Sequence, residues 1–143
     1  MAKMIFVNLP VSDLARSMAF YEAVGFAKNP RFTNETAAAM VWSDDIHVML
    51  LTHARWADFT GKTIVDARTQ AQVMLCVSMD DCADVDSITE AAAGAGGIAD
   101  PNPVQDHGVM YGRSFEDPDG HIWEPMWMDP AMAMADNPVE MID

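Results

Sequence analysis

Positive charge is scarce in this chain. Eight Lys and Arg stand against twenty-two Asp and Glu, for a formal net charge of −14 over 143 residues. A surface of that sign repels phosphate backbones, and no basic stripe or paired cysteine–histidine spacing offsets it, which excludes a nucleic-acid partner. An anionic membrane is disfavoured for the same reason. Cysteine is scarce too. Cys76 and Cys82 are too few for a disulfide scaffold or a cysteine-built zinc site, and Cys76, in an apolar run, is expected to be a buried free thiol. No apolar stretch approaches the ~18–20 residues that cross a bilayer. The opening MAKMIFVNLPVSD lacks the long apolar region and cleavage pattern of a signal peptide, so a cytoplasmic location is the expectation. There is no P-loop, GxGxxG or Ser-His-Asp order. The glycines of GAGG, residues 94–97, follow a helical stretch rather than open one.

What is present suits a folded protein. Hydrophobic residues make up 50% and charged residues 21%, which rules out intrinsic disorder. A chain of this length fits one domain, 1–143, and buries enough surface to need no disulfide or metal for folding. Met4–Leu9 is a strand that Pro10 should stop or bend, and Ser12 or Asp13 caps a helix over 13–24, closed by Gly25. Phe26–Phe32 is a strand broken at Asn29-Pro30. Ala37–Trp42 and His47–Thr52 form a hairpin about Ser43-Asp44-Asp45. Residues 53–70 read as a connector, a long loop suited to a pocket flap. The order then repeats: a strand over Gln72–Met79, a helix from Asp80 or Asp81 to about Ala93, a weak strand over Ile98–Val104, a strand over Val109–Phe115, the turn EDPDG, and a closing strand His121–Met128. Module one is thus about 4–52 and module two about 71–128, with a C-terminal tail over 129–143. The two βαβββ modules share a core because neither is long enough to stand alone.

NLPVSDLARSMAFYEAVGF, MDD…AAAGAGG and YGRSFEDPDGHIWE together resemble the vicinal oxygen chelate superfamily: glyoxalase I, bleomycin-resistance proteins and extradiol dioxygenases. The resemblance covers about residues 4–128 and is closest to small bacterial glyoxalase-like proteins. It implies an α+β fold whose two βαβββ modules form a curved mixed sheet around a cleft, and it implies a homodimer. In such proteins four inward residues, typically His or Gln, Glu, His and Glu, hold a divalent ion. Carried onto this sequence, those positions fall at Phe6, Leu50, Met74 and Glu124, all expected to face one cavity. Three of them are apolar and unsuited to an octahedral ion or catalytic zinc, so no metal and no cofactor are expected.

The candidate site residues follow from this frame. Glu124, between Trp123 and Pro125, is an inward carboxylate fit for acid–base work or for satisfaction by the Tyr111 hydroxyl. His107, before Gly108 in a loop at the expected cleft mouth, is the best histidine for a base or a ligand contact. Asn8 shares a strand face with Phe6, and Trp56 supplies aromatic surface. Tyr111 and Arg113 alternate along one strand; Arg113 can clamp an anion or pair with Glu116 or Asp117. His47 is expected to pair with Asp44 or Asp45, while His53 and His121 are weaker candidates. Two functions fit. The first is a metal-free module binding a small hydrophobic or cationic molecule, as in the bleomycin-resistance branch. The second is a lyase or extradiol dioxygenase of the glyoxalase type with a displaced metal site.

Overall fold

The computed structural model describes residues 2–133; the rest of the expected tail lies outside them. Module one runs through β1 (Ile5–Val11), α1 (Leu14–Ala23), β2 (Ala27–Asn29), a single 3-10 turn (Pro30–Phe32), β3 (Ala37–Val41) and β4 (Ile46–Thr52). A short helix, α2 (His53–Trp56), opens the connector. Module two runs through β5 (Met74–Ser78), α3 (Cys82–Gly94), β6 (Ile98–Ala99), β7 (Gln105–Asp106), β8 (Met110–Gly112), β9 (Phe115–Glu116) and β10 (Ile122–Met128), followed by α4 (Pro130–Ala133). The first sheet has the order β1-β4-β3-β2, and in the second β5 pairs with β10. Each module joins its first and last strands in parallel and the others antiparallel. The fold is α+β, with βαβββ-like repeats forming a curved, partly open mixed sheet.

The helices start where the sequence supplies acceptors. Asp13 takes the amide of Arg16 at 3.1 Å and Asp81 that of Asp84 at 2.8 Å, each cap being worth about 1 kcal/mol. Gly25 ends α1 with φ +109°, a conformation costly for any residue with a Cβ. Under the helices lies one apolar cluster drawn from both modules: Leu9 and Val11, Val48 and Leu50, Val77, Phe115 and Trp123, packed on Phe20 and Tyr21 of α1. Strand alternation puts the remaining residues on the opposite face, which carries Phe6, Asn8, His47, Met74, Cys76 and Glu124.

Several sequence expectations change here. β1 continues through Pro10 because it is an edge strand. Pro10's carbonyl, and so its nitrogen on the same side of the strand, points away from β4 and accepts from His121. Leu50 does not face a cleft; it pairs with Leu9 and is fully buried beneath α1. Cys76 is exposed, since β5 turns Leu75 and Val77 inward and Cys76 outward. Both cysteines are free. The single strand expected over Val109–Phe115 is divided into β8 and β9. Arg113 donates its amide to the Pro125 carbonyl at 3.2 Å, but Pro125 has no N–H to return the bond. The weak strand over Ile98–Val104 shrinks to the two residues of β6.

Candidate functional site

The site is built where the ends of β1 and β5 and the turn before β10 meet beneath the connector. That turn, Asp117-Pro118-Asp119-Gly120, is self-organised. One carboxylate oxygen of Asp117 accepts the amides of Asp119 (3.0 Å) and His121 (2.8 Å), and the other accepts the Tyr21 hydroxyl at 2.6 Å. Trp123 Nε1 donates to the same Tyr21 oxygen at 3.0 Å. Asp117 is almost fully buried, and that burial pushes its carboxyl above the usual range. Burial likewise pushes the Tyr21 hydroxyl well up. Asp119 accepts the Ser12 amide at 2.9 Å, fixing the turn to the start of α1.

The connector is clamped onto this turn. Arg68 donates through Nη2 to the Pro118 carbonyl at 3.1 Å, and Asp66 accepts the Arg68 amide at 3.0 Å. Gly120 has φ +99°, and a Cβ there would lie 2.6 Å from the Arg68 nitrogen. Only glycine permits both the turn and so close an approach. Held this way, the connector roofs a cavity of about 370 Å³. Leu9, Pro10, Val73, Leu75 and Ile122 give it apolar walls; Asn8, Lys62, Gln70, Gln72 and His121 supply polar groups. A second cavity of about 320 Å³ adjoins it, sharing Pro10, Ile64, Val65, Ala67 and His121 and adding Ser12, His53, Arg68 and Asp119. His121 stands in both linings. Its Nε2 lies 2.7 Å from the Pro10 carbonyl, which can only accept, so that nitrogen carries the proton and the ring is fixed.

The predicted site residues divide. Asn8 and Trp56 line the larger cavity. Glu124 lies in neither lining; it is partly exposed on the open face, directly across from Cys76. Partial desolvation of the sulfur, and after that the nearby Glu124 charge, hold the Cys76 thiol above its ordinary value. Phe6 and Met74 are also exposed on open faces, so the four positions carried over from the family do not gather in a cavity here. His107 meets Gln105 Oε1 at 3.1 Å, away from both cavities. Tyr111 does not satisfy Glu124; it donates to Asp86 of α3 at 2.6 Å, and this bond lowers the Asp86 carboxyl. Arg113 pairs with Asp86, Glu90 and Asp100 rather than Glu116 or Asp117. His47 meets the Asp44 backbone carbonyl, not a carboxylate, and stacks on Phe6. Sequence reasoning passed over Lys62 and Gln70, whose one signal is their place in a connector suited to a flap, and Gln72, which the pattern puts in a strand that here begins only at Met74.

Among the described residues, no three His, Cys, Asp or Glu side chains are grouped so as to hold a metal ion. The family's ligand positions carry Phe6, Leu50 and Met74 beside the single carboxylate of Glu124, a donor set that does not fit the divalent ion of the family's metal-using members.

The sequence matches the profile of the Glyoxalase/Bleomycin resistance protein/Dioxygenase superfamily over residues 3–124. No curated protein matches it. Solved structures repeat the fold. A hypothetical protein from S. aureus is 24% identical with a TM-score of 0.73, covering 89% of this chain and 94% of that one. A glyoxalase-related enzyme from Fulvimarina pelagi is 22% identical with a TM-score of 0.73, over 89% and 88%. The fosfomycin resistance protein FosX from Mesorhizobium loti is 19% identical with a TM-score of 0.62, over 94% and 97%. With the profile spanning most of its length, the chain belongs to the glyoxalase/bleomycin resistance protein/dioxygenase superfamily.

Proposed function

We propose that this protein binds a small, mainly hydrophobic molecule in the cavity beneath the connector, without the metal site of its metal-using relatives. The observation that carries this reading is the cavity itself: about 370 Å³, walled by aliphatic side chains and Trp56, with a few fixed polar groups. That volume and that pattern suit a compact organic ligand. A cationic ligand finds less support, because none of the described acidic side chains lines the larger cavity; Glu124 on the open face is the group that would receive one.

The binding unit in this reading is a homodimer. β1 and β5 each end a sheet, and they expose Ile5 and Phe6 (55% and 56%) and Met74 (55%). Apolar side chains beside unpaired edges are covered when a second copy packs on them.

A fragment screen by ligand-observed NMR tests the binding reading, with Ala71→Phe as the control. Ala71 is an exposed residue just ahead of β5 on the lining, so a phenyl group there fills the cavity with little effect on the core. Hydrophobic fragments should bind the wild type at micromolar to low millimolar concentration and lose at least tenfold in affinity to the variant. Equal affinity for both proteins overturns the proposal.

A further inference from the structure

We infer that the ligand of the connector cavity is a monocarboxylate with an apolar body, its carboxylate received by Lys62. This rests on the proposed binding role and adds the chemical class of the ligand.

Three observations carry it. The first is sign. In a chain with twenty-two acidic side chains and eight basic ones, the only charged side chain among Asp, Glu, Lys and Arg on this lining is a cation. The second is availability. Among the described residues, basic side chains that form ion pairs do so from α1, α2 and the strand region of Arg113; Lys62 forms none. Its ammonium therefore keeps three donors free for a ligand. The third is the local charge of the roof. Residues 53–70 hold Arg55, Lys62 and Arg68 against Asp58 and Asp66, so the connector reverses the sign of the chain as a whole.

The rest of the lining agrees. Asn8, Gln70 and Gln72 offer amide N–H donors that suit carboxylate oxygens, while Leu9, Val73, Leu75 and Ile122 take the hydrocarbon part. The adjoining cavity sets two carboxylates, Asp66 and Asp119, against the single guanidinium of Arg68, so it favours an anion less than the Lys62 side does.

The test uses three compounds with one apolar body: 3-phenylpropanoate, 3-phenylpropanamide and protonated 3-phenylpropylamine. Each is titrated calorimetrically into the full chain and into Lys62→Met, which keeps the aliphatic stem. The carboxylate should bind at least tenfold tighter than the amide, with the amine weakest. The variant should erase the preference for the carboxylate while changing amide affinity less than twofold. Lys62 is exposed, so the melting temperature should not move. Equal binding of acid and amide, tighter binding of the amine, or unchanged acid affinity in the variant overturns the inference and leaves the binding role standing. Failure of all three compounds to bind at 10 mM overturns the binding role as well.

Discussion

Asp117 is a carboxylate held where its charge is costly. Burial raises its folded pKa above the unfolded value, so its contribution to stability is greatest below the unfolded pKa and declines as pH rises through the folded one. Asp117→Asn keeps one oxygen for the amides of Asp119 and His121 and turns an N–H toward the Tyr21 oxygen. The stability difference between wild type and this variant, from urea unfolding at pH 4 to 7, should shift toward the wild type on acidification. Parallel pH profiles would contradict the assignment. Tyr21→Phe acts differently. It strands both the Asp117 oxygen and the Trp123 N–H in the core, so a loss of roughly 1–3 kcal/mol is expected at neutral pH. These side chains could be placed only partly in advance. Tyr21 reads as a core residue from its helical spacing, but its bond across 96 positions to Asp117 has no local signal.

At the scale of elements, Arg113 holds β8 and β9 to α3. Its guanidinium meets Asp86 at 3.1 Å, Glu90 at 3.0 Å and Asp100 at 2.6 Å. The hydrogen bond from Tyr111 holds the Asp86 carboxyl below its ordinary value, and that from Arg113 does the same for Asp100. Groups shifted this way stabilise the fold above their unfolded pKa and lose that contribution as pH falls through the folded one. Arg113→Met should cost about 1–2 kcal/mol at pH 7, since the three partners are partly exposed. The deficit in a urea titration should shrink by pH 3; a constant deficit would assign it to packing instead. Gly120→Ala should lower the melting temperature and weaken ligand binding together, because the added Cβ meets connector backbone.

The helices were legible because Asp13, Asp81 and Gly25 are local instructions. The facing of β4 was not. Ile46–Leu51 is apolar on both faces except at His47, so alternation gave no parity and the ligand-equivalent position was misplaced onto buried Leu50. The break between β8 and β9 lay in the partner strand, at Pro125. The connector's lining role depends on Gly120, fifty-two positions beyond Arg68, and nothing periodic in residues 57–73 announces it.

For the molecule as a whole, the proposed dimer should appear in light scattering as twice the 15.7 kDa chain mass at micromolar concentration, with more than roughly 1,000 Å² buried. Phe6→Glu together with Met74→Glu should return it to the monomer mass with the fold retained. A monomeric wild type would remove the dimer and leave the connector cavity as it is. Elemental analysis after dialysis should find well under one transition-metal ion per chain, and EDTA should leave the melting temperature unchanged. A tightly held stoichiometric ion would favour the lyase or dioxygenase reading.

β1 and β5 lie in separate hydrogen-bonded ladders, and around the cavity the two modules meet through His121, Pro10 and the clamped connector. The cavity's walls, Leu9, Leu75 and Ile122, belong to strands, whereas its roof, residues 60–73, lies outside every strand and outside the cluster beneath the helices. Substitutions in residues 60–73 redraw the cavity without disturbing a strand register or the cluster beneath the helices. In the proposed binding role, changes confined to that roof alter which molecule fits while leaving the strands beneath as they are.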